Sequence, residues 1–174
     1  ALMRAPSIAV LKTGLPRMSN AMRVALTEGK HVQAFPEFGP ERTGAPILGF
    51  TRISDQSIDI HSQVYTPGIV VVLDPTLLKN IDVTEGLVRN GKVVVNTDKT
   101  HSELRKGFRR SDMKCYTVNA TRIALDILGR PVFNTAMLGA LVRAEPLAEM
   151  KSVAKAISER FPARMAERNL EAVK

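Results

Sequence analysis

Cysteine is almost absent from this 174-residue sequence, which has Cys115 alone; there is no tryptophan, and histidine occurs only at 31, 61 and 101. A lone thiol excludes an internal disulfide and an iron–sulfur cluster held by four thiolates. The three histidines are far apart and show no metal-ligand spacing, so a Cys/His zinc site lacks its ligands. Long apolar runs are missing too. Ile69-Val70-Val71-Val72-Leu73 is among the longest, far below the about 20 residues a membrane-spanning helix needs. Arg4, Lys12 and Arg17 come early with no long apolar core between them, so no secretory signal is expected and a reduced, cytoplasmic setting is. Neither G-x-S-x-G nor G-x-x-x-x-G-K-[ST] occurs. Any redox or metal chemistry must come from another chain or an organic cofactor.

Apolar residues make up 44% and charged residues 24%, the balance of an ordinary globular chain. A domain of this length buries roughly 70% of the surface its unfolded chain exposes, and no repeat or linker-like stretch divides it, so residues 1–174 read as one domain. Twenty-five Lys and Arg against seventeen Asp and Glu give a net charge of +8. That surface suits nucleic acid, a phosphorylated metabolite or an acidic partner subunit. Against nucleic acid, the cations scatter. Only Arg105-Lys106 and Arg109-Arg110 cluster, and Phe108 is the one aromatic among them, so no base-stacking platform is visible. A solvated helix end is the plainer reading of that cluster.

Ser19 followed by Asn20 to Glu28 reads as a capped amphipathic helix ending at Gly29, and His31–Phe35 as a strand. The stretch Pro36–Pro46 holds three prolines and two glycines in eleven residues and reads as a loop. Ile47–Ile53 and Ser57–Ile60 alternate around Asp55-Gln56, which predicts a hairpin. Ile69–Leu73 and Lys92–Asn96 are apolar enough for strands covered on both faces, with Lys114–Val118 a weaker third. Helices are predicted at Asp82–Arg89, Ala120–Leu128, Thr135–Val142, Leu147–Ile157 and Arg164–Val173. Strands alternating with helices imply a layered α/β/α domain with a parallel or mixed sheet.

In such folds ligands bind beyond the carboxyl ends of the strands. Asp74-Pro75-Thr76, Asn96-Thr97-Asp98 and the Pro36–Pro46 loop stand at three such ends, although turn formation and helix capping are the plainer reading of Asp74 and Asn96. Arg42 is the one cation of the loop, with Thr43 and Gly44 beside it. A guanidinium forks onto phosphate or carboxylate and glycine lets a ligand approach the backbone; pairing of Arg42 with Glu37 or Glu41 is the structural alternative. Cys115 lies in a predicted strand and reads as a small buried hydrophobe rather than a nucleophile. No catalytic residue stands out, so the residues suggest a chain that binds or completes a site.

Glu28 to Ser54, E-G-K-H-V-Q-A-F-P-E-F-G-P-E-R-T-G-A-P-I-L-G-F-T-R-I-S, resembles the gamma subunit of 2-oxoacid:ferredoxin oxidoreductases, the pyruvate synthase family. V-V-V-L-D-P-T-L-L (70–78), V-T-E-G-L (83–87), V-V-V-N-T (93–97), N-T-A-M-L-G-A-L (134–141) and E-R-N-L-E-A (167–172) continue the resemblance in family order. It implies a subunit of a complex that oxidatively decarboxylates a 2-oxoacid, pyruvate by default, with coenzyme A, giving acyl-CoA, carbon dioxide and reduced ferredoxin. Thiamine diphosphate and iron–sulfur clusters are then expected in partner subunits of alpha, beta and delta type, with no activity from this chain alone and no nucleic-acid or membrane partner. A stand-alone nucleotide- or CoA-binding module is the alternative. Carried over residue by residue, the resemblance points to Arg42 and Gly44, and to Asn134, as contacts to coenzyme A or the neighbouring active site; Asn134 could instead cap the helix after it. The family opens with a strand and a turn of the form G-R-G-G-Q-G. Here Ser7 to Met18 offers only Gly14, with Leu15-Pro16-Arg17 where that turn belongs, so no binding role is assigned before Ser19.

Overall fold

The computed structural model describes residues 7–13, 24–37, 46–60 and 62–174. Among these, β1 (Ser7–Thr13), β2 (His31–Glu37), β3 (Pro46–Ser54), β4 (Ile69–Val72), β5 (Lys92–Asn96) and β6 (Lys114–Val118) form one sheet in the order β2-β3-β1-β4-β5-β6. β1, β4, β5 and β6 run parallel, and β3 pairs antiparallel with both β1 and β2. The helices are α1 (His101–Arg105), α2 (Ala120–Leu128), α3 (Asn134–Ala144), α4 (Met150–Arg160) and α5 (Ala163–Val173), with a 3-10 turn at Pro75–Lys79. The layered α/β fold with a mixed sheet is the class read from the sequence. β1 supplies the opening strand expected from the family pattern; the turn that would follow it lies outside the described residues.

The valine runs explain the centre of the sheet. Val70 and Val72 of β4 and Val93 and Val95 of β5 point to one core; Ile69, Val71 and Val94 point to the other. All seven are nearly or fully buried, and each contributes about 1.5–3 kcal/mol by leaving water. On the second face α2 and α3 cover the sheet, and α4 and α5 pack outside them through Val153, Ile157, Ala166 and Val173. Gly139 lets α3 and α5 approach closely: a Cβ there would lie 2.0 Å from the Val173 carbonyl oxygen. The first face is covered by the 3-10 turn, the 81–91 segment and α1, through Leu77, Val83, Leu87 and Leu104.

Two expectations are corrected. Ser57–Ile60 forms no strand, so the predicted hairpin around Asp55-Gln56 does not exist. Both edges of β3 are already taken by β1 and β2, and Arg52 Nη2 donates instead to the Gln63 carbonyl at 2.8 Å. β3 pairs instead with β2, the strand before it in sequence. Asp82–Arg89 is a chain of turns, not a helix. Asp82 accepts from the Thr84 backbone N–H (3.0 Å) and hydroxyl (2.6 Å), an Asx turn that competes with helix, and Gly86 has φ +70°. The Arg110 guanidinium then takes the Leu87 carbonyl at 2.6 Å and grips Asp112 through two nitrogens at 2.9 and 2.8 Å. The helix ending at Gly29 is seen in its last turn, 24–27, where Gly29 takes φ +72° and donates to the Leu26 carbonyl at 3.0 Å. The start of that helix lies outside the described residues.

Candidate functional site

The strand directions collect one edge of the sheet. Because β3 runs against β1, Pro46 stands opposite Thr13, and Glu37 and Pro46 lie at the end of the sheet where the parallel strands β1, β4 and β5 finish. Arg42 and Gly44, and with them the choice between ligand contact and pairing with Glu37 or Glu41, lie outside the described residues.

The polar residues at this edge serve structure first. Asn96, 5% exposed, donates through Nδ2 to the Leu73 carbonyl (3.1 Å) and the Thr121 hydroxyl (3.0 Å) and accepts the Thr121 N–H at 3.2 Å. One side chain therefore ties the end of β4 to β5 and satisfies a donor in the first turn of α2. Asp74 accepts from the Thr76 N–H and hydroxyl at 2.9 and 2.6 Å and caps the 3-10 turn. These contacts are turn and cap contacts.

Asn134 is the first residue of α3 and is half-buried. It is not the cap: Phe133 holds that position and no side chain caps the helix. Thr135 beside it is buried and donates to Asn169 Oδ1 at 2.7 Å, while Asn169 Nδ2 donates to the Met165 carbonyl at 2.8 Å. This pair locks the first turn of α3 to α5. The far end of α3 is held by Lys92, whose Nζ donates to the Ala144 carbonyl at 2.6 Å and pairs with Glu145 at 2.5 Å. A cation there also suits the negative end of the helix dipole. Cys115 is buried among apolar side chains, which pushes its thiol upward and away from the nucleophilic thiolate.

Beside the same edge, on the first face, lies a groove of about 570 Å³ between Pro75–Val83 and the 97–109 segment. Half-buried Leu78, Ile81 and Phe108 supply its apolar surface, and Lys79, Lys99 and Arg109 its cations. Its two carboxylates are engaged. Hydrogen bonds from Thr84 hold Asp82 below the usual carboxylate range, with Arg109 and Arg110 helping; Glu103 is lowered by hydrogen bonds from Thr100 in a capping box. None of the three cations has an ion-pair partner within 4 Å among the described residues. Sequence reading singled out the 74–76 and 96–98 strand ends and the Arg105–Arg110 cluster one by one, but not the groove they share, because its parts come from separate stretches. Of the Arg105–Arg110 cluster, the solvated helix end holds for Arg105, which lies in the last turn of α1.

Comparison with known proteins gives a consistent result. A family model described as pyruvate ferredoxin/flavodoxin oxidoreductase matches residues 17–174. The chain is 50% identical over 148 residues to the pyruvate/ketoisovalerate oxidoreductases common subunit gamma of Thermococcus kodakarensis, covering 85% of this chain and 80% of that one. It is 45% identical over 150 residues to pyruvate synthase subunit PorC of Methanocaldococcus jannaschii, covering 86% and 80%. The crystal structure of pyruvate oxidoreductase subunit PORC from Thermotoga maritima is 36% identical and superposes with a TM-score of 0.83 over 98% of this chain and 94% of that one. The mixed sheet, the ordered run of motifs and these matches lead to one conclusion: the chain belongs to the pyruvate ferredoxin/flavodoxin oxidoreductase family.

Proposed function

We propose that this chain is the gamma subunit of a multi-subunit enzyme that decarboxylates a 2-oxoacid oxidatively, pyruvate first, transferring the acyl group to coenzyme A and the electrons to ferredoxin. The observation that carries this reading is the match to gamma-type subunits along most of both chains. The composition agrees with it. One buried cysteine cannot ligate a four-thiolate iron–sulfur cluster; on this reading the clusters and thiamine diphosphate lie in alpha, beta and delta-type partners, and the assembly in the cytoplasm. Among the described residues no helix is long and apolar enough to cross a membrane.

In this reading residues 1–174 act as one domain that closes over the partners' active site. Arg42 forks onto a phosphate of coenzyme A, Gly44 lets that ligand approach the backbone, and Asn134 presents its amide from the locked first turn of α3. The test is purification of the native assembly through this chain, with every co-purifying subunit identified by mass spectrometry. Subunits carrying C-x-x-C-x-x-C repeats and bound thiamine diphosphate are expected, and the isolated chain is expected to be colourless and inactive. Turnover of a 2-oxoacid by the chain alone refutes the reading. Within the assembly, Arg42→Ala is expected to raise KM for coenzyme A while melting is unchanged; a lower melting temperature with normal kinetics assigns Arg42 to loop pairing instead.

A further inference from the structure

We infer that the groove between Pro75–Val83 and the 97–109 segment is a docking surface for an acidic segment of a neighbouring subunit, one that inserts apolar side chains between Leu78, Ile81 and Phe108. The inference rests on the subunit reading above and names one of the surfaces that reading requires.

The groove has the anatomy of an interface. Its apolar residues are half-buried, hence partly wet in the isolated chain, and its cations stand around them. Lys79, Lys99 and Arg109 are exposed, whereas a site built for a small anion gathers donors that packing holds in place. Exposed cations on long stems act differently: they steer an acidic partner and fix its register at the rim. None of the three is tied into an ion pair within 4 Å among the described residues, and although Asp82 and Glu103 offset part of their charge, the lining stays net positive. Thr84 and Thr100 fix the two carboxylates in place by hydrogen bonds, and the nearby exposed Arg105 and Lys106 add positive charge. A second copy of the chain is a poor occupant, because two surfaces of a +8 protein would meet with like charge.

The experiment compares three forms of the chain in the assembled enzyme: wild type, K79E/K99E/R109E, and a surface control, R130E/K151E/R164E, with the same change of charge at exposed sites elsewhere. Affinity for the remaining subunits is measured across a salt series, and unchanged melting confirms folding. The groove variant is expected to assemble about tenfold or more weakly and with a flatter salt dependence, while the control stays near wild type. If the triple variant fails to fold, K99Q/R109Q is expected to show a smaller loss of the same kind. A groove variant that assembles like the control, beside a wild type that assembles, overturns the docking surface and leaves the subunit reading intact. A wild type that joins no partner removes both. Pyrophosphate binding to the isolated chain, abolished by K79E/K99E/R109E while assembly is normal, assigns the groove to a small anion. Dimerisation of the isolated chain that the same variant abolishes assigns it to a second copy. Either result overturns the inference.

Discussion

Replacing Asn96 by alanine removes three hydrogen bonds at once: those to the Leu73 carbonyl and the Thr121 hydroxyl, and the one accepted from the Thr121 N–H. Leu73 is buried, so its carbonyl loses a partner where water does not easily replace it, at about 1–3 kcal/mol. Thr121 is only half-buried and water recovers part of its loss. The sum is about 2–4 kcal/mol, with the truncated side chain included. For a chain of this length each kcal/mol moves the melting temperature by about 2–4 °C, so a drop of about 4–16 °C is expected. Urea denaturation at neutral pH, with the slope unchanged, measures the same loss directly. Asn96→Asp sharpens the test. Its ionised carboxylate faces the Leu73 carbonyl and cannot donate; the protonated acid can. The folded pKa is therefore raised, and the variant comes nearest to wild type below about pH 4, losing stability as pH rises through the raised folded value. If Asn96→Ala stays within about 0.5 kcal/mol of wild type, the tie between β4 and α2 carries no weight and the reasoning is wrong.

Three further substitutions probe other parts of the fold. Gly139→Ala places a Cβ against the Val173 carbonyl; helix propensity favours alanine by about 1 kcal/mol, but α5 must shift, so a net loss of about 1–3 kcal/mol is expected, and a rise in melting temperature in calorimetry contradicts the close approach. Asp82 titrates below the ordinary carboxylate range in the folded chain because Thr84 hydrogen-bonds its ionised form. The stability it adds is present above the unfolded carboxylate pKa and is lost as pH falls through the lower folded value. Asp82→Asn should therefore be less stable at neutral pH and lose less on acidification, and curves that stay parallel refute this. Arg110→Lys replaces a fork gripping Asp112, Leu87 and Thr84 with a single ammonium, and faster hydrogen exchange across 84–91 is expected while the β5 amides stay protected.

Much of this molecule is legible residue by residue. Val70–Val72 and Val93–Val95 announce strands buried on both faces, Asn119 and Gly129 bracket α2 through a side-chain cap and a left-handed glycine, and a single cysteine excludes an iron–sulfur cluster. Such features depend on side-chain chemistry and short-range backbone geometry, which travel with the sequence. The partner of β3 does not, because pairing depends on which strands occupy its two edges, and β1 and β2 leave none for Ser57–Ile60. Nor does the fate of Asp82–Arg89, where helical spacing yields to the Thr84 hydroxyl nearby and to Arg110 from a later segment. The groove belongs wholly to tertiary structure. Its cations lie on segments that follow two neighbouring parallel strands, and only the side-by-side pairing of β4 and β5 brings those strand ends, and the positive charges after them, together.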